Sequence, residues 1–264
     1  MHESMMKGPL KSSRSAPPSP PADAIPPLRQ SLSTPDGKSR YVRRLFATIA
    51  DRYDFITVAL SYGQDRGWKR RLVALAQPVA GRRALDLATG TGDIAYSLAS
   101  SGARVVGLDI TPRMIELAIG KKSEHAGSCS FVVGDMLTLP FPDRSFDLVT
   151  TGYGLRNVPS LAGAVDEIAR VLAPGGLALS LDFNRPANGL VRRAYLLYLT
   201  VVGSGLGWLL HGNPDTYRYI PASISRYPGA DAVARLMAAR GFADVTYVPV
   251  LGGLMAIHCA RRSG

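Results

Sequence analysis

Past residue 82 the chain alternates short apolar runs with segments whose apolar positions recur at helical spacing. "RALDLA" and "RVVGLD" are apolar nearly throughout, as expected of strands covered on both faces. Between them "GDIAYSLASSG" reads as a helix closed by Gly102. After them "PRMIELAIGKK" reads as a helix with Pro112 in its first turn. "SFVVGD" and "FDLVTTG" are the next strands, "LAGAVDEIARVLAPGG" is a helix stopped by Pro174 and the glycines behind it, and "LALSLDF" is a further strand. Alternating β and α units need crossovers, so the pattern predicts an α/β fold with a mainly parallel sheet and helices on both faces. A long apolar helical region follows over 188–210, then the polar "GNPDTYRYI", a helix near 229–240, and the strands "DVTYVPV" and "LMAIHCA". No internal repeat is present.

Upstream, "YVRRLFATIADRYDFITVALSYG" puts Leu45, Phe46, Ile49 and Tyr53 on one helical face, and "GWKRRLVALA" reads as a second helix. Residues 1–39 are rich in Pro and Ser, with "SAPPSPPADAIPPL" at their heart. Prolines bar helix there, and the apolar surface is too small to offset the entropy of ordering. The expectation is a disordered leader over 1–39, with order starting near Tyr41. The leader's basic character leaves a transit peptide open, although the amphipathic pattern of one is missing, and there is no apolar stretch typical of a secretory signal. The remainder, 40–264, reads as one domain, with N-terminal helices over 40–80 and a substrate-side cap insertion over 187–228.

At 264 residues and 46% hydrophobic composition, the chain is long and apolar enough for a sizeable core. Its net charge of +11 raises nucleic acid or an anionic membrane as partners. The excess is divided between the leader and "DRGWKRR", and no stacking-aromatic or RNA-module motif accompanies it, so no nucleic-acid partner is expected. Cys129 and Cys259 form no C-x-x-C pair, which gives zinc and thiol-redox chemistry no support and suits a reducing cytosol. The uncharged run "AYLLYLTVVGSGLGWLL" is shorter than the ~20 residues of a membrane span and holds three glycines. It is expected to cover the active site and receive a greasy substrate, with peripheral contact at the inner membrane face left open. Oligomeric state is open as well.

Candidate chemistry concentrates in "ALDLATGTGDIAYSLASSGARVVGLDI" (84–110). Gly90, Gly92 and Ala95 fit G-x-G-x-x-A, a turn that lets backbone approach an adenosine cofactor at the carboxyl end of a strand. Asp109, ending the second strand, is placed for two ribose hydroxyls. NAD and S-adenosylmethionine (SAM) both satisfy this much. Asp93 favours SAM: at the helix N-terminus it stands where a pyrophosphate would sit, and with Asp86 it suits an ammonium and a sulfonium. A simple helix cap is the other reading of Asp93. Asp135 follows the third strand and completes the acidic set.

With the order "LDLATGTGD…VVGLDI…VVGDMLTLPFPDRSFDLVTTG…VLAPGG", the chain resembles the class I SAM-dependent methyltransferases over roughly 82–185. More narrowly it is similar to the C-methyltransferases of ubiquinone and menaquinone biosynthesis (the UbiE/MenG type). "FATIADRYD", "GWKRRLV", "LPFPDRSFD", "GLRNV" and "DTYRYIPASI" carry this second resemblance, which spans about 41–260. It implies a Rossmann-like class I methyltransferase fold with an antiparallel terminal strand, and SAM as cofactor. Residue by residue, it implies a cofactor loop at Gly90, Thr91 and Gly92, a ribose site at Asp109 with Ile110 beside it, Asp135 and Met136 flanking the adenine, and Gly152 at the methionine portion. The chain departs from the family's frequent pattern at Thr89, where a glycine is common, and at Asp135–Met136, where Asn–Ala is common.

The reaction so implied is C-methylation of a prenylated hydroquinone, a demethylmenaquinol or a ubiquinol precursor. A phenol's ring carbon becomes far more nucleophilic on ionisation, so the site needs donors for a phenolate. Arg156 offers a permanent cation and Asn157 an oriented amide. Tyr53 is the candidate to close the pocket, and Tyr217, Tyr219 and His258 are candidate substrate contacts. Each has a plainer reading: Arg156 paired with Asp147 or Asp182, Asn157 capping the helix near 160, the tyrosines as packing, His258 as a satisfied core histidine. No metal is expected. The alternatives are a small-molecule methyltransferase of secondary metabolism, a nicotinamide oxidoreductase, and a nonenzymatic basic binding module.

Overall fold

The computed structural model describes residues 28–121, 129–186, 188–213 and 216–264. Seven strands form one sheet: β1 (Arg83–Leu87), β2 (Arg104–Asp109), β3 (Cys129–Val133), β4 (Phe146–Gly152), β5 (Leu172–Phe183), β6 (Phe242–Val250) and β7 (Met255–Arg262). Their order is β3-β2-β1-β4-β5-β7-β6; β7 runs antiparallel to both β5 and β6, and the other pairs are parallel. The expected parallel sheet with its antiparallel terminal strand is therefore present.

Successive strand residues feed opposite faces, the period of two inherent in a pleat. Ala84 and Leu148 pack with Leu72 of α4 (Asp65–Ala76) and Leu98 of α5 (Asp93–Ser100). Leu85 and Val149 pack with Ile168 of α7 (Leu161–Val171) and Val233 of α10 (Ala230–Ala238). Helix α6 (Pro112–Gly120) lies against the β2–β3 edge. The order reverses at β1, which pairs with β2 on one side and β4 on the other. Ligands of such sheets bind at the carboxyl ends around this switch.

A third cluster covers those strand ends. Tyr41, Leu45 and Ile49 of α2 (Pro35–Ile49) and Ile56 of α3 (Tyr53–Ser61) pack with Tyr217 and Tyr219 from the far end of the chain. Helix α8 (Gly189–His211) packs beside α3 and α9 (Tyr219–Arg226). The amino-terminal helices and the cap insertion thus form one roof.

The sequence misjudged three boundaries. Residues 28–39 are not part of a disordered leader: a short α1 (Leu28–Ser31) precedes α2, while 1–27 lie outside the described residues. Thr34 caps α2 by accepting the Gly37 amide at 3.1 Å, and Pro35 occupies the first turn, where its missing donor costs nothing. The apolar stripe 45–53 is split by a 3-10 turn at Ala50–Arg52. Helix α7 stops at Val171, and β5 takes Pro174 and Gly175 into an irregular register opposite Phe146–Leu148.

Replacing Thr34 by Ala removes the α2 cap. The expected result is a loss of about 1 kcal/mol, seen as a lower urea midpoint at unchanged slope.

Candidate active site

Two cavities meet beneath the roof. The first, about 710 Å³ with its open mouth, lies at the carboxyl ends of β1, β2 and β4. It is lined by Gly90, Asp109, Ile110, Asp135, Met136 and Gly152, together with Tyr53 and Asn157. The second, about 1220 Å³ with its mouth, lies between α2, α3, α8 and α9. It is lined by Leu45, Ile56, Phe183, Tyr195, Leu199 and Tyr217, among others, and is mostly apolar. Phe46, Tyr53 and Tyr153 line both and form the wall between them.

The turn after β1 shapes the first chamber. Gly90 sits at φ 55°, and a side chain there would be strained and aimed towards the Tyr53 ring. Its amide donates to Asp109 Oδ2 at 2.9 Å, while the Thr111 amide donates to Oδ1 at 2.9 Å. Burial raises the Asp109 carboxyl above its ordinary range, and these amides act against that rise. Asp135 accepts the Leu137 amide through Oδ1 at 2.9 Å, which fixes the loop carrying Met136.

Several residues expected at the cofactor stand elsewhere. Asp86 is buried behind the loop, where Thr89 and Thr150 donate to its oxygens at 2.7 Å each, and burial pushes it up to about 6. It braces the glycine turn against β4. Thr91 donates to Asp54 Oδ1 at 2.6 Å, and Gly92 provides the left-handed turn into α5 at φ 86°. Asp93 lies 2.9 Å from Lys69 Nζ and 3.5 Å from Lys121 Nζ. Burial opposes its ionisation, yet the two ammoniums hold it below the usual carboxylate range. Its charge is offset on the outer side of the loop, so it does not decide between cofactors. That part belongs to Asp109 and Asp135, which line a chamber with no cationic side chain among its described residues. Two carboxylates and no cation suit an adenosine cofactor that is itself positive, and oppose a pyrophosphate. The residues present fit SAM.

Arg156 lines the second chamber and is buried. Its Nη1 lies 3.1 Å from Asp182 Oδ1 and donates to the Tyr153 carbonyl at 3.0 Å; its guanidinium sits 4.6 Å over the Phe183 ring. Of the two carboxylates weighed as partners it takes Asp182, while Asp147 pairs with Arg83. Its Nε is buried with no partner. Asn157 does not cap the next helix, a task taken by Ser160. Its Nδ2 donates to the Tyr153 carbonyl at 2.8 Å and its Oδ1 accepts from Tyr219 at 3.0 Å. Both ends are engaged, so it positions neighbours. Tyr217 and Tyr219 line the second chamber. His258 reaches neither chamber: it is buried on β7, with Nε2 3.0 Å from the Ala230 carbonyl.

Sequence reasoning missed three residues here. Lys38 of α2 donates to the carbonyls of Arg156 and Val158 at 2.9 and 2.6 Å, and burial together with the nearby Arg156 lowers it to about 8. Tyr153 and Asp65 join by a 2.7 Å hydrogen bond. The signal for Tyr153 was its place directly after Gly152 and before "GLRNV".

The model of the ubiE/COQ5 methyltransferase family matches residues 34–262. The chain belongs to this family. It is a SAM-dependent methyltransferase. A demethylmenaquinone methyltransferase from Thermus thermophilus is 43% identical over 220 residues, covering 83% of this chain and 100% of the relative. The ubiquinone/menaquinone biosynthesis C-methyltransferase UbiE from Azotobacter vinelandii is 36% identical over 226 residues, covering 84% and 89%. Among solved structures, a SAM-dependent methyltransferase from Thermotoga maritima superimposes with a TM-score of 0.58 at 17% identity, covering 83% of this chain and 99% of that one. At that identity the likeness speaks for the fold.

Asp109→Ala in this methyltransferase removes a charge-assisted acceptor from the first chamber. Calorimetric titration with SAM is expected to show binding weakened by about 1–3 kcal/mol.

Proposed function

We propose that this methyltransferase acts on a ring carbon of a prenylated hydroquinone, with demethylmenaquinol as the first candidate and a ubiquinol precursor as the second. The observation that carries this is the pair of neighbouring chambers that share Phe46, Tyr53 and Tyr153 in their linings. One side suits the cofactor and the other an apolar ring bearing a chain. Bound SAM supplies an electrophilic methyl group on a sulfonium. The protein's own part is to align, to exclude water and to stabilise the ionised ring oxygen. Alignment of this kind is worth roughly 7–11 kcal/mol in ideal cases. Arg156, which lines the apolar chamber, is the donor for that oxygen, and Asp182 holds the guanidinium in place. A lost donor of this sort costs on the order of 3 kcal/mol in the transition state. The Thermus and Azotobacter relatives support the quinone reading over a methyltransferase of secondary metabolism.

The quinol reading extends to how the substrate arrives. One face of α8 packs inward through Leu199, Gly203 and Gly207, while Leu197, Val201 and Trp208 are exposed on another. A helix packed along one side and apolar along the other suits the plane of a bilayer better than a span across it. Residues 183–214 carry Arg185, Arg192 and Arg193 and no acid, which complements an anionic lipid surface. Tyr195, Tyr198 and Leu199 place the apolar chamber directly under this helix.

The test is incubation of the full chain with labelled SAM, anionic vesicles and prenylated quinols, followed by mass analysis. A ring-methylated naphthoquinol is expected, and absence of any methylated quinol defeats the reading. Arg156→Ala is expected to lower turnover about 100-fold while leaving SAM affinity near normal. Replacing Leu197, Val201 and Trp208 by Ser is expected to abolish flotation with the vesicles. Unchanged flotation, or a stable dimer that covers this face in sedimentation, would remove the lipid docking.

A further inference from the structure

Methyl transfer to a quinol ring releases a proton in each turnover, so a quinol substrate, as proposed for this enzyme, requires a proton acceptor and rests the acceptor's assignment on that proposal. Two charged side chains, Asp65 and Arg156, line the apolar chamber among the described residues. A guanidinium does not give up its proton in a protein and so cannot accept another. Asp65 is 2% exposed. Its Oδ1 accepts from the Tyr153 hydroxyl at 2.7 Å, and its Oδ2 lies 2.8 Å from Lys69 Nζ. The same ammonium lies 2.9 Å from Asp93, whose side chain is 42% exposed. A continuous chain of polar contacts therefore runs from the wall between the chambers to water.

Tyr153 is held for this role at some conformational cost. Its φ of 62° is unfavourable for a residue with a bulky side chain. Strain of that sort persists where the surroundings over-determine it, and it gathers at functional sites. Here the Tyr153 amide donates to the Leu181 carbonyl at 2.7 Å, and its carbonyl accepts from both Arg156 and Asn157.

We propose that Tyr153 and Asp65 form the proton outlet of the reaction, with the Tyr153 hydroxyl touching the quinol oxygen and Asp65 as the acceptor behind it. The substrate O–H bond breaks and its electron pair stays on the quinol oxygen. The proton moves to Tyr153 Oη as the tyrosine's own proton crosses to Asp65 Oδ1. The ring carbon then forms its bond to the methyl group as the methyl–sulfur bond breaks, the electron pair leaving on sulfur. Finally the hydrogen on that ring carbon passes as a proton, by way of water, to the quinol oxygen and restores the hydroxyl, so the one net proton is the one on Asp65, which gives it to water when product leaves the chamber that Asp65 lines. Lys69 bridges both carboxylates, and its pairing shifts to Asp93 when Asp65 is neutralised, which leaves no buried cation alone. The titratable and charged groups facing the pair are Lys69 on the same helix, Tyr53 on α3, and Arg156 beyond β4. Burial, then the Asp65 charge, raises the Tyr153 hydroxyl well above its ordinary range, so it relays a proton without resting as a phenolate.

The experiment compares the wild-type full chain with Tyr153→Phe and Asp65→Asn, measuring kcat on a short-chain prenylated quinol from pH 6 to 10. Near neutral pH both variants are expected to lose about 100-fold or more in kcat, with SAM affinity by calorimetry changed less than about threefold. The deficit is expected to shrink towards pH 10, where the quinol ionises unaided near the phenol value of about 10. A deficit of equal size at every pH, or a Tyr153→Phe rate within about threefold of wild type at neutral pH, overturns the outlet. Tyr153→Phe keeps the Asp65–Lys69 pair and carries the test if Asp65→Asn does not fold. A wild-type chain that methylates no quinol overturns the substrate reading and the outlet together, whereas product lost only in the variants leaves the substrate reading standing.

Discussion

The structure depends on how the backbone leaves β4. At Tyr153 the chain turns through a conformation that few side chains adopt, and it is held there from every side. The amide is tied to β5, the carbonyl gathers Arg156 and Asn157, and the hydroxyl reaches α4. A single residue thus joins the sheet, the guanidinium, and the helices of the roof. The two chambers exist as neighbours because this turn stands between them.

Charge is arranged around that wall in a consistent way. In the first chamber the described lining holds carboxylates without cations. Behind the glycine turn, Asp86 is neither exposed nor paired with a cation; hydroxyls satisfy it, which is how a buried carboxyl is tolerated. On the apolar side the charged groups that intrude, Arg156 and Asp65, each carry a counterion. Replacing such pairs by apolar residues is often neutral or stabilising, so their presence points to chemistry more than to stability.

The sheet was legible because its central strands are apolar on both faces, which follows from local sequence; the end of α7 was not, because the chain already enters β5 at Leu172, ahead of Pro174. The place of Asp109 in the first chamber was legible for the same reason as the sheet, since the end of β2 fixes where the carboxylate stands. The true surroundings of Asp93 were not, because its partners come from Lys69 and Lys121, 24 and 28 residues away. Asn157 failed similarly: its acceptor is claimed by Tyr219, 62 residues on. The start of α2 was misread because Pro35 continues a proline-rich run, although a proline in the first turn suits a helix. Helix α9 was hidden by Pro221 and by few apolar residues, and it forms against Tyr41 and its neighbours.

Lys38 holds α2 across the mouth of the first chamber, where Ser39, Val42 and Phe46 contribute to the lining. The latch sits upstream of the segment that the apolar pattern marks as the beginning of the domain. A chain trimmed to start at Tyr41 would keep every strand, both carboxylates of the chamber and the apolar packing of the roof, yet lose the lysine that ties α2 to the carbonyls of Arg156 and Val158. The sheet alone is therefore not the smallest working unit of this enzyme, and that unit begins with residues whose composition disguises them as a tail.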